Sequence, residues 1–371
     1  MIEEIKKALS TVIDPELHRS ITELGMVEAV DEKNGAVEVK ILLTISGCPM
    51  RDTLQSDISK AVSAISGVTS LNIIFGAMNQ EQRDRVKALM RNGRERHIVF
   101  ASPESLTRVI AVASGKGGVG KSSITANLAV AAAQKGFKVG ILDGDVYGHS
   151  IPRLMGVVGK RPTALDQMFI PVDAHGVKVV SMEMFKPERD DAVAYRGPLL
   201  HRVLEQLLAD AYWGDLDFLF LDLPPGTGDL AISLGQLIPN SEVIVVTTPQ
   251  VAAAEVAERA GRIAHTMHQQ IIGVVENMSS VICPRCGEEQ LLFGSGGGEA
   301  SAKKLSTLVG ADVPLLGKVP FAPELREGGD EGTPIVKADA SSHAARAIEE
   351  ILEKVSKRGK SLVGVRLGLS T

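Results

Sequence analysis

Ser114-Gly115-Lys116-Gly117-Gly118-Val119-Gly120-Lys121-Ser122-Ser123 follows an apolar run, Val109-Ile110-Ala111-Val112-Ala113, and precedes a helical pattern from Ile124 to Gln134. Strand, glycine loop, helix is the setting in which a P-loop folds. Glycines let successive backbone N–H groups turn inward around phosphate oxygens, and the following helix adds its positive N-terminal end. In that arrangement Lys121 reaches the β- and γ-phosphates of ATP, and the Ser122 hydroxyl holds Mg2+. Gly115 to Ser123 is therefore the expected nucleotide site.

The chain around it has 371 residues, long enough to predict two domains. Hydrophobic residues make up 44% and charged residues 23%, the balance of an ordinary globular protein. A formal net charge of −5 gives no global pull toward nucleic acid or an anionic membrane. Aromatic residues at 4% argue against a base-stacking platform. The start, Met1-Ile2-Glu3-Glu4-Ile5-Lys6-Lys7, lacks an apolar signal core, and no run approaches a membrane span, so a cytoplasmic location is expected. In a reducing compartment the three cysteines, Cys48, Cys283 and Cys286, read as ligands or thiols, not as a disulfide framework.

Upstream of the P-loop, apolar spacing predicts a helix over residues 2–12 and another from Pro49 to Ile65. Between them Met26 to Asp31 and Ala36 to Thr44 read as strands joined across Asn34-Gly35, a type I′ hairpin signal. Val68 to Phe75 adds a strand, giving a small α+β domain over residues 1–78. Cys48 precedes Pro49 at a helix entry, where a thiol feels the helix dipole or simply fills the turn. Residues 79–106 are crowded with charges and read as a partly helical linker.

Downstream, strands alternate with helices to about residue 356, which predicts a parallel sheet covered on both faces. The strand after the P-loop helix ends in Asp143-Gly144-Asp145, where open α/β sheets bind ligands, and turn capping is the alternative for each carboxylate. Asp217 to Leu221 is an apolar strand closed by Asp222, the arrangement that holds Mg2+ directly or through water. Pro224-Pro225-Gly226 after it reads as a stiff switch loop, and Asp229 as a helix cap. Asn277, after the strand Ile271 to Val275, fits a turn. Phe293 to Gly298 reads as a mobile glycine-rich loop, and residues 357–371 as a tail.

Cys283-Pro284-Arg285-Cys286 is a second chemical centre, because two thiolates at this spacing can share one metal or cluster edge. A thioredoxin-like redox pair is the competing reading, but the motif does not open a helix after a first strand. Two cysteines cannot complete a four-thiolate site. Either Cys48 and a non-cysteine ligand help, or two copies of the pair meet across a dimer axis. Zinc in a shared four-cysteine site is physically as acceptable as an iron–sulfur cluster.

GKGGVGKS at 115–122 resembles the deviant Walker A loop of the MinD/ParA/nitrogenase-iron-protein class. That resemblance implies that Lys116 reaches across a homodimer to the partner's nucleotide, that Asp145 (with Asp143 second) orients the attacking water, and that Asn277 bonds the adenine edge. Residues 107–355 resemble, more narrowly, the Mrp/ApbC-type iron–sulfur carrier ATPases. The residues that carry this are Gly115 to Ser122, Arg196-Gly197-Pro198, Asp222 to Asp229, Glu276 to Ser279, Cys283 to Cys286 and Asp330-Glu331-Gly332-Thr333-Pro334. Asp14-Pro15-Glu16-Leu17, Leu24-Gly25-Met26-Val27 and Leu43 to Pro49 resemble the small metal–sulfur-cluster assembly domain, in which the cysteine matching Cys48 handles clusters. The resemblance implies a slow ATPase that binds a [4Fe–4S] cluster between subunits through Cys283 and Cys286. Its partners would be a cluster-assembly scaffold and apo iron–sulfur proteins, with no nucleic acid and no membrane. A partitioning or positioning switch like ParA or MinD, or an ATPase with a structural zinc, are the alternatives, and neither a basic surface nor an amphipathic tail supports the switch.

Overall fold

The chain folds as two units, Met1–His97 together with Thr163–Ile170, and the remainder. The computed structural model describes residues 1–45, 50–91, 96–102, 104–145, 148, 150–186, 197–226, 228–283 and 285–359, without the side chains of 197–198, 229 and 251–257. Cys48 and Arg196 lie outside the described residues.

In the first unit, α1 (Ile2–Leu9) buries Ile5 and Leu9, while α2 (Arg51–Ser63) buries Leu54, Ile58 and Val62. Strands β1 (Val27–Lys33), β2 (Ala36–Leu43) and β3 (Ser70–Ala77) form one sheet in that order. β1 and β2 are antiparallel, and Asn34 and Gly35 turn between them with φ of 52° and 86°, as the hairpin signal required. β3 runs parallel to β2, whose Val37, Val39 and Ile41 face the core. Asp14 caps the turn after α1, its Oδ1 accepting from the N–H groups of Glu16 (2.9 Å) and Leu17 (2.8 Å).

The charged stretch after residue 78 is not merely a connector. It contains α3 (Gln80–Met90), started by a capping box between Asn79 and Gln82, with Val86 and Met90 buried. Its outer face holds a hairpin that arrives from much later in the chain, β6 (Thr163–Leu165) and β7 (Met168–Ile170). Asp166 at the hairpin tip accepts from Lys87 Nζ (2.7 Å) and Gln80 Nε2 (3.0 Å). A charged helix with these partners reads as a linker when its sequence is taken alone.

The second unit is built on β4 (Arg108–Ser114), β5 (Val139–Asp143), β8 (Val172–Ala174), β9 (Val177–Ser181), β10 (Phe218–Asp222), β11 (Glu242–Thr247), β12 (Gln270–Ile282), β13 (Glu289–Gln290) and β14 (Leu315–Phe321). Their order is β13-β12-β11-β4-β10-β5-β9-β8, with β14 also on β12. All pairings are parallel except β8 with β9 and β12 with β13. Every residue of β4, β5, β10 and β11 is buried, so both faces of the sheet centre are covered, and their near-continuous apolar sequences follow from that.

Helices α4 (Lys121–Gln134), α5 (Ser150–Leu154), α11 (Ile335–Ala338) and α12 (His343–Lys357) pack together, and α10 (Pro323–Glu331) joins α5. A second series runs through α6 (Gly197–Ala209), α7 (Asp229–Leu237), α8 (Val251–Thr266) and α9 (Gly297–Val309). α7 starts at Asp229 with Gly228, not Asp229, in the capping position. The expected glycine-rich loop at 293–298 is corrected in part: Gly297 and Gly298 are the buried first residues of α9. A Cβ on Gly298 would lie 2.8 Å from the Glu276 side chain, so glycine here serves close packing of a helix end, not mobility.

Candidate functional site

β4 ends at Ser114, and the loop to α4 turns on Gly118 (φ 77°) and Gly120 (φ 78°), both left-handed. A side chain at Gly120 would also collide with Asn277 Nδ2, so glycine is required there twice over. Lys116 is exposed on this loop, and its Nζ donates to Gln250 Oε1 at the start of α8 (3.3 Å).

Beneath the loop Lys121 is buried and pairs with Asp222 Oδ1 (2.6 Å). Ser122 Oγ donates to Asp222 Oδ2 (2.6 Å), and Thr125 Oγ1 donates to Asp222 Oδ1 (3.0 Å). Thr125 escaped the sequence reading although the signal was there, four residues after Lys121 on the same helix face. Hydroxyl and carboxylate oxygens are the hard donors Mg2+ takes, so Ser122 and Asp222 fit that ion.

β5 and β10 run in register with Asp143 opposite Asp222. Burial, and then the charge of Asp222, push the Asp143 carboxyl up to about 8. Ser181 Oγ stands 2.9 Å from its Oδ2, and the Asp145 N–H donates to its Oδ1 (3.0 Å). Asp143 is fully buried and away from the nucleotide cavity, whereas Asp145 lines it, with Oδ1 accepting from the Gly148 N–H (2.9 Å). Pro225 and the loop after Asp222 lie along the same wall, and Gly226 N–H donates to Ser114 O (2.9 Å).

The loop from Lys116 to Ser123, Asp145 and Pro225 line one cavity of about 780 Å3. Its lining also includes the Asn277 side chain, held against that loop, and Phe321, Ala322, Leu325 and Arg326 from the chain beyond β12. Asn277 is buried; its Nδ2 donates to Val119 O (2.8 Å), while its Oδ1 has no hydrogen-bond partner. A buried acceptor without a partner beside a nucleotide-sized cavity fits a base amino group. The sequence reads Val313 to Pro320 as a last strand and a loop able to pack on adenine; Phe321 at the end of β14 and Leu325 on α10, just beyond it, are not singled out.

The Cys pair sits at the end of β12, in a turn that β13 closes. Cys283 N–H donates to Glu288 O (2.9 Å), and Gly287 N–H donates to Cys283 O (2.8 Å). The backbone N–H groups of Cys286 and Arg285 bond the Cys283 sulfur and hold its thiol below the usual range, with the Cys286 side chain adding to this. Cys283 is partly exposed and Cys286 exposed. Among the described residues no group of three or more His, Cys, Asp or Glu side chains is placed to hold a metal.

The profile of the ParA family, described as NUBPL iron-transfer P-loop NTPase, matches residues 105–356, and that of the iron–sulfur cluster assembly protein family matches residues 2–73. The chain belongs to this family of iron-transfer P-loop NTPases. A protein named iron–sulfur cluster carrier protein from Mycobacterium tuberculosis strain H37Rv is 52% identical over 367 residues, covering 98% of this chain and 96% of its own. One of the same name from Deinococcus radiodurans is 39% identical, covering 95% of this chain and 93% of its own. Among solved structures, a nucleotide-binding protein from Archaeoglobus fulgidus in complex with ADP is 35% identical, with a TM-score of 0.52 over 62% of this chain and 92% of its own. The septum site-determining protein MinD of Pyrococcus horikoshii, complexed with Mg-ADP, is 26% identical, with a TM-score of 0.50 over 71% of this chain and 100% of its own. The family's ATPase portion thus coincides with the P-loop unit, and its assembly portion with α1 to β3. Among the described residues no helix is long and apolar enough to cross a membrane.

Proposed function

We propose that this protein is an ATP-dependent carrier that binds a [4Fe–4S] cluster between two copies of itself and transfers it to apo iron–sulfur proteins. The observation that carries the reading is the Cys283–Gly287 turn. It presents two thiols at the surface, one already held by backbone N–H groups, with no further ligand cluster among the described residues. Two such turns supply the four thiolates a cluster takes. The carrier names of relatives that align over nearly the whole chain support the same assignment.

In this reading Lys121 exchanges its Asp222 partner for the β- and γ-phosphates, and Ser122 and Asp222 hold Mg2+, which offsets phosphate charge. Asp145 orients the attacking water. Lys116, whose ammonium bonds the neutral Gln250 side chain among the described residues, reaches the nucleotide of a second copy and offsets charge as the γ-phosphoryl leaves. Hydrolysis is then slow in a single copy. Nucleotide sets closure of the homodimer, clusters arrive from a cytoplasmic assembly scaffold, and Cys48 is placed by its sequence motif to take part.

The test is anaerobic purification with absorption spectra and iron, sulfide and zinc analysis of the protein and its Cys283→Ala variant. The variant is expected to lose iron and sulfide and to bind ATP as before. Retained iron would show that the cluster is held elsewhere, and zinc without sulfide would make the site structural.

A further inference from the structure

β12 is one strand with two duties. Asn277 and Met278 line the nucleotide cavity, and four residues later Ile282 leads into Cys283. Between these points the strand is irregular. Asn277 pairs with Val319 and Val281 with Phe321, so four steps along β12 are matched by two along β14. The two extra residues form a bulge, a device that bends a strand and re-aims the residues beyond it.

Met278 opens the bulge with φ of 58°, a left-handed conformation rare for an unbranched apolar residue. Its thioether end lines the cavity beside the P-loop, Cε lying 3.9 Å from the position a Cβ on Gly120 would take. Upstream the strand is fixed, because buried Glu276 accepts from the Gly298 N–H of α9 (2.6 Å). Downstream, Val281 and Ile282 pair with the two-residue strand β13, and the turn beyond is exposed. Phe321, which also lines the cavity, is the cross-strand partner of Val281, two residues from Cys283. Movement of the P-loop or of Phe321 therefore meets a clamped strand on one side and a lightly held turn on the other.

We propose that the Met278–Ser280 bulge of β12 couples the nucleotide cavity to the Cys283–Cys286 turn, with Met278 as the positioning residue. The inference rests on the reading that the cavity takes ATP and the turn takes the cluster, and it specifies how one regulates the other. Coupling of this kind is reciprocal, so a metal on the thiols changes ADP affinity by the same factor that ADP changes metal affinity, roughly fivefold or more.

The test is hydrogen–deuterium exchange on the full, reduced, metal-free protein, with ADP at saturation for each variant. In the unaltered protein ADP is expected to slow exchange both at residues 115–123 and at 281–290. Met278→Gly, which removes both the thioether contact and the backbone constraint, is expected to keep the response at 115–123 and lose it at 281–290. Met278→Asn tolerates the left-handed backbone and removes only the thioether, and it decides the matter should the glycine variant fold poorly. Persistence of the 281–290 response in the folded variant overturns the proposal, as does its absence from the unaltered protein. A missing response at 115–123 in the unaltered protein removes the nucleotide reading as well, whereas failure of the cluster reading shows separately, as absent iron in the anaerobic preparation.

Discussion

Asp143 and Asp222 end neighbouring parallel strands with their carboxyl groups buried side by side, and Lys121 forms its ion pair with Asp222. Burial first and the charge of Asp222 second push the Asp143 carboxyl up to about 8, against a smaller opposing pull from Lys121. This fixes the sign of its effect on stability. From pH 3.8 to about 8 the unfolded chain releases this proton and the folded chain retains it, so this group makes stability fall as pH rises through that window. Asn imitates the neutral acid: its Oδ1 can accept the Asp145 N–H, and its Nδ2 can donate to Ser181. Asp143→Asn is therefore expected to flatten the pH dependence, leaving the variant progressively more stable than the parent between about pH 5 and 8. Denaturant midpoints measured across that range in metal-free buffer check this, and parallel curves for the two proteins would contradict it. At this scale the sequence brings forward Lys121 and Ser122 through the fixed spacing of the phosphate loop, and Asp222 as the acid that closes an apolar strand. The proton on Asp143 was not legible, because it depends on which strand lies beside β5.

Strand and helix ends carry the next level of organisation. Arg108 opens β4 and Glu242 opens β11, and the two form a buried pair through Nε (2.9 Å) and Nη2 (2.7 Å) to Oε2. Arg108 Nη1 also donates to Val355 O (2.7 Å) and Arg358 O (3.0 Å) at the end of α12, and its guanidinium lies over Phe218. One side chain thus ties two central strands to the last helix, at the opposite end of the strands from the P-loop. Arg108→Ala leaves Glu242 buried without this partner and is expected to cost about 3–5 kcal/mol. Urea unfolding measures that loss; a change below about 1 kcal/mol would assign the pair the weight of a surface contact. Nothing in the sequence marks Arg108, since a charge before an apolar run reads as a strand boundary. The alternating βα order was legible from apolar runs bounded by glycine and proline, and so was the Asn34-Gly35 hairpin. The α9 start was misread for the opposite reason: three consecutive glycines signal a loop unless the tight approach of Glu276 and Thr248 is known.

At the scale of the molecule, the phosphate site and the thiol site are each half furnished. Lys116 is exposed on the loop and among the described residues its ammonium bonds a neutral amide, Gln250, an arrangement that suits a lysine whose target is a second nucleotide. The Cys pair provides two ligands where a cluster takes four. In the proposed homodimer a twofold axis would complete both at once, since an isologous contact brings the same patch of each copy to the other. Iron and sulfide should then each approach about four per two chains, and not four per chain. Lys116→Ala should still bind ATP, because Lys121 and the loop N–H groups remain, but it should lose hydrolysis by about 10³-fold or more, the scale of a charge supplied in trans to the leaving phosphoryl group. Light scattering with a non-hydrolysable ATP analogue separates the causes. A variant that dimerises normally and hydrolyses slowly keeps the lysine in the chemistry. One that stays monomeric places it in assembly. If it hydrolyses ATP at the parental rate, Lys116 has neither role, and only the iron stoichiometry still speaks for a second copy.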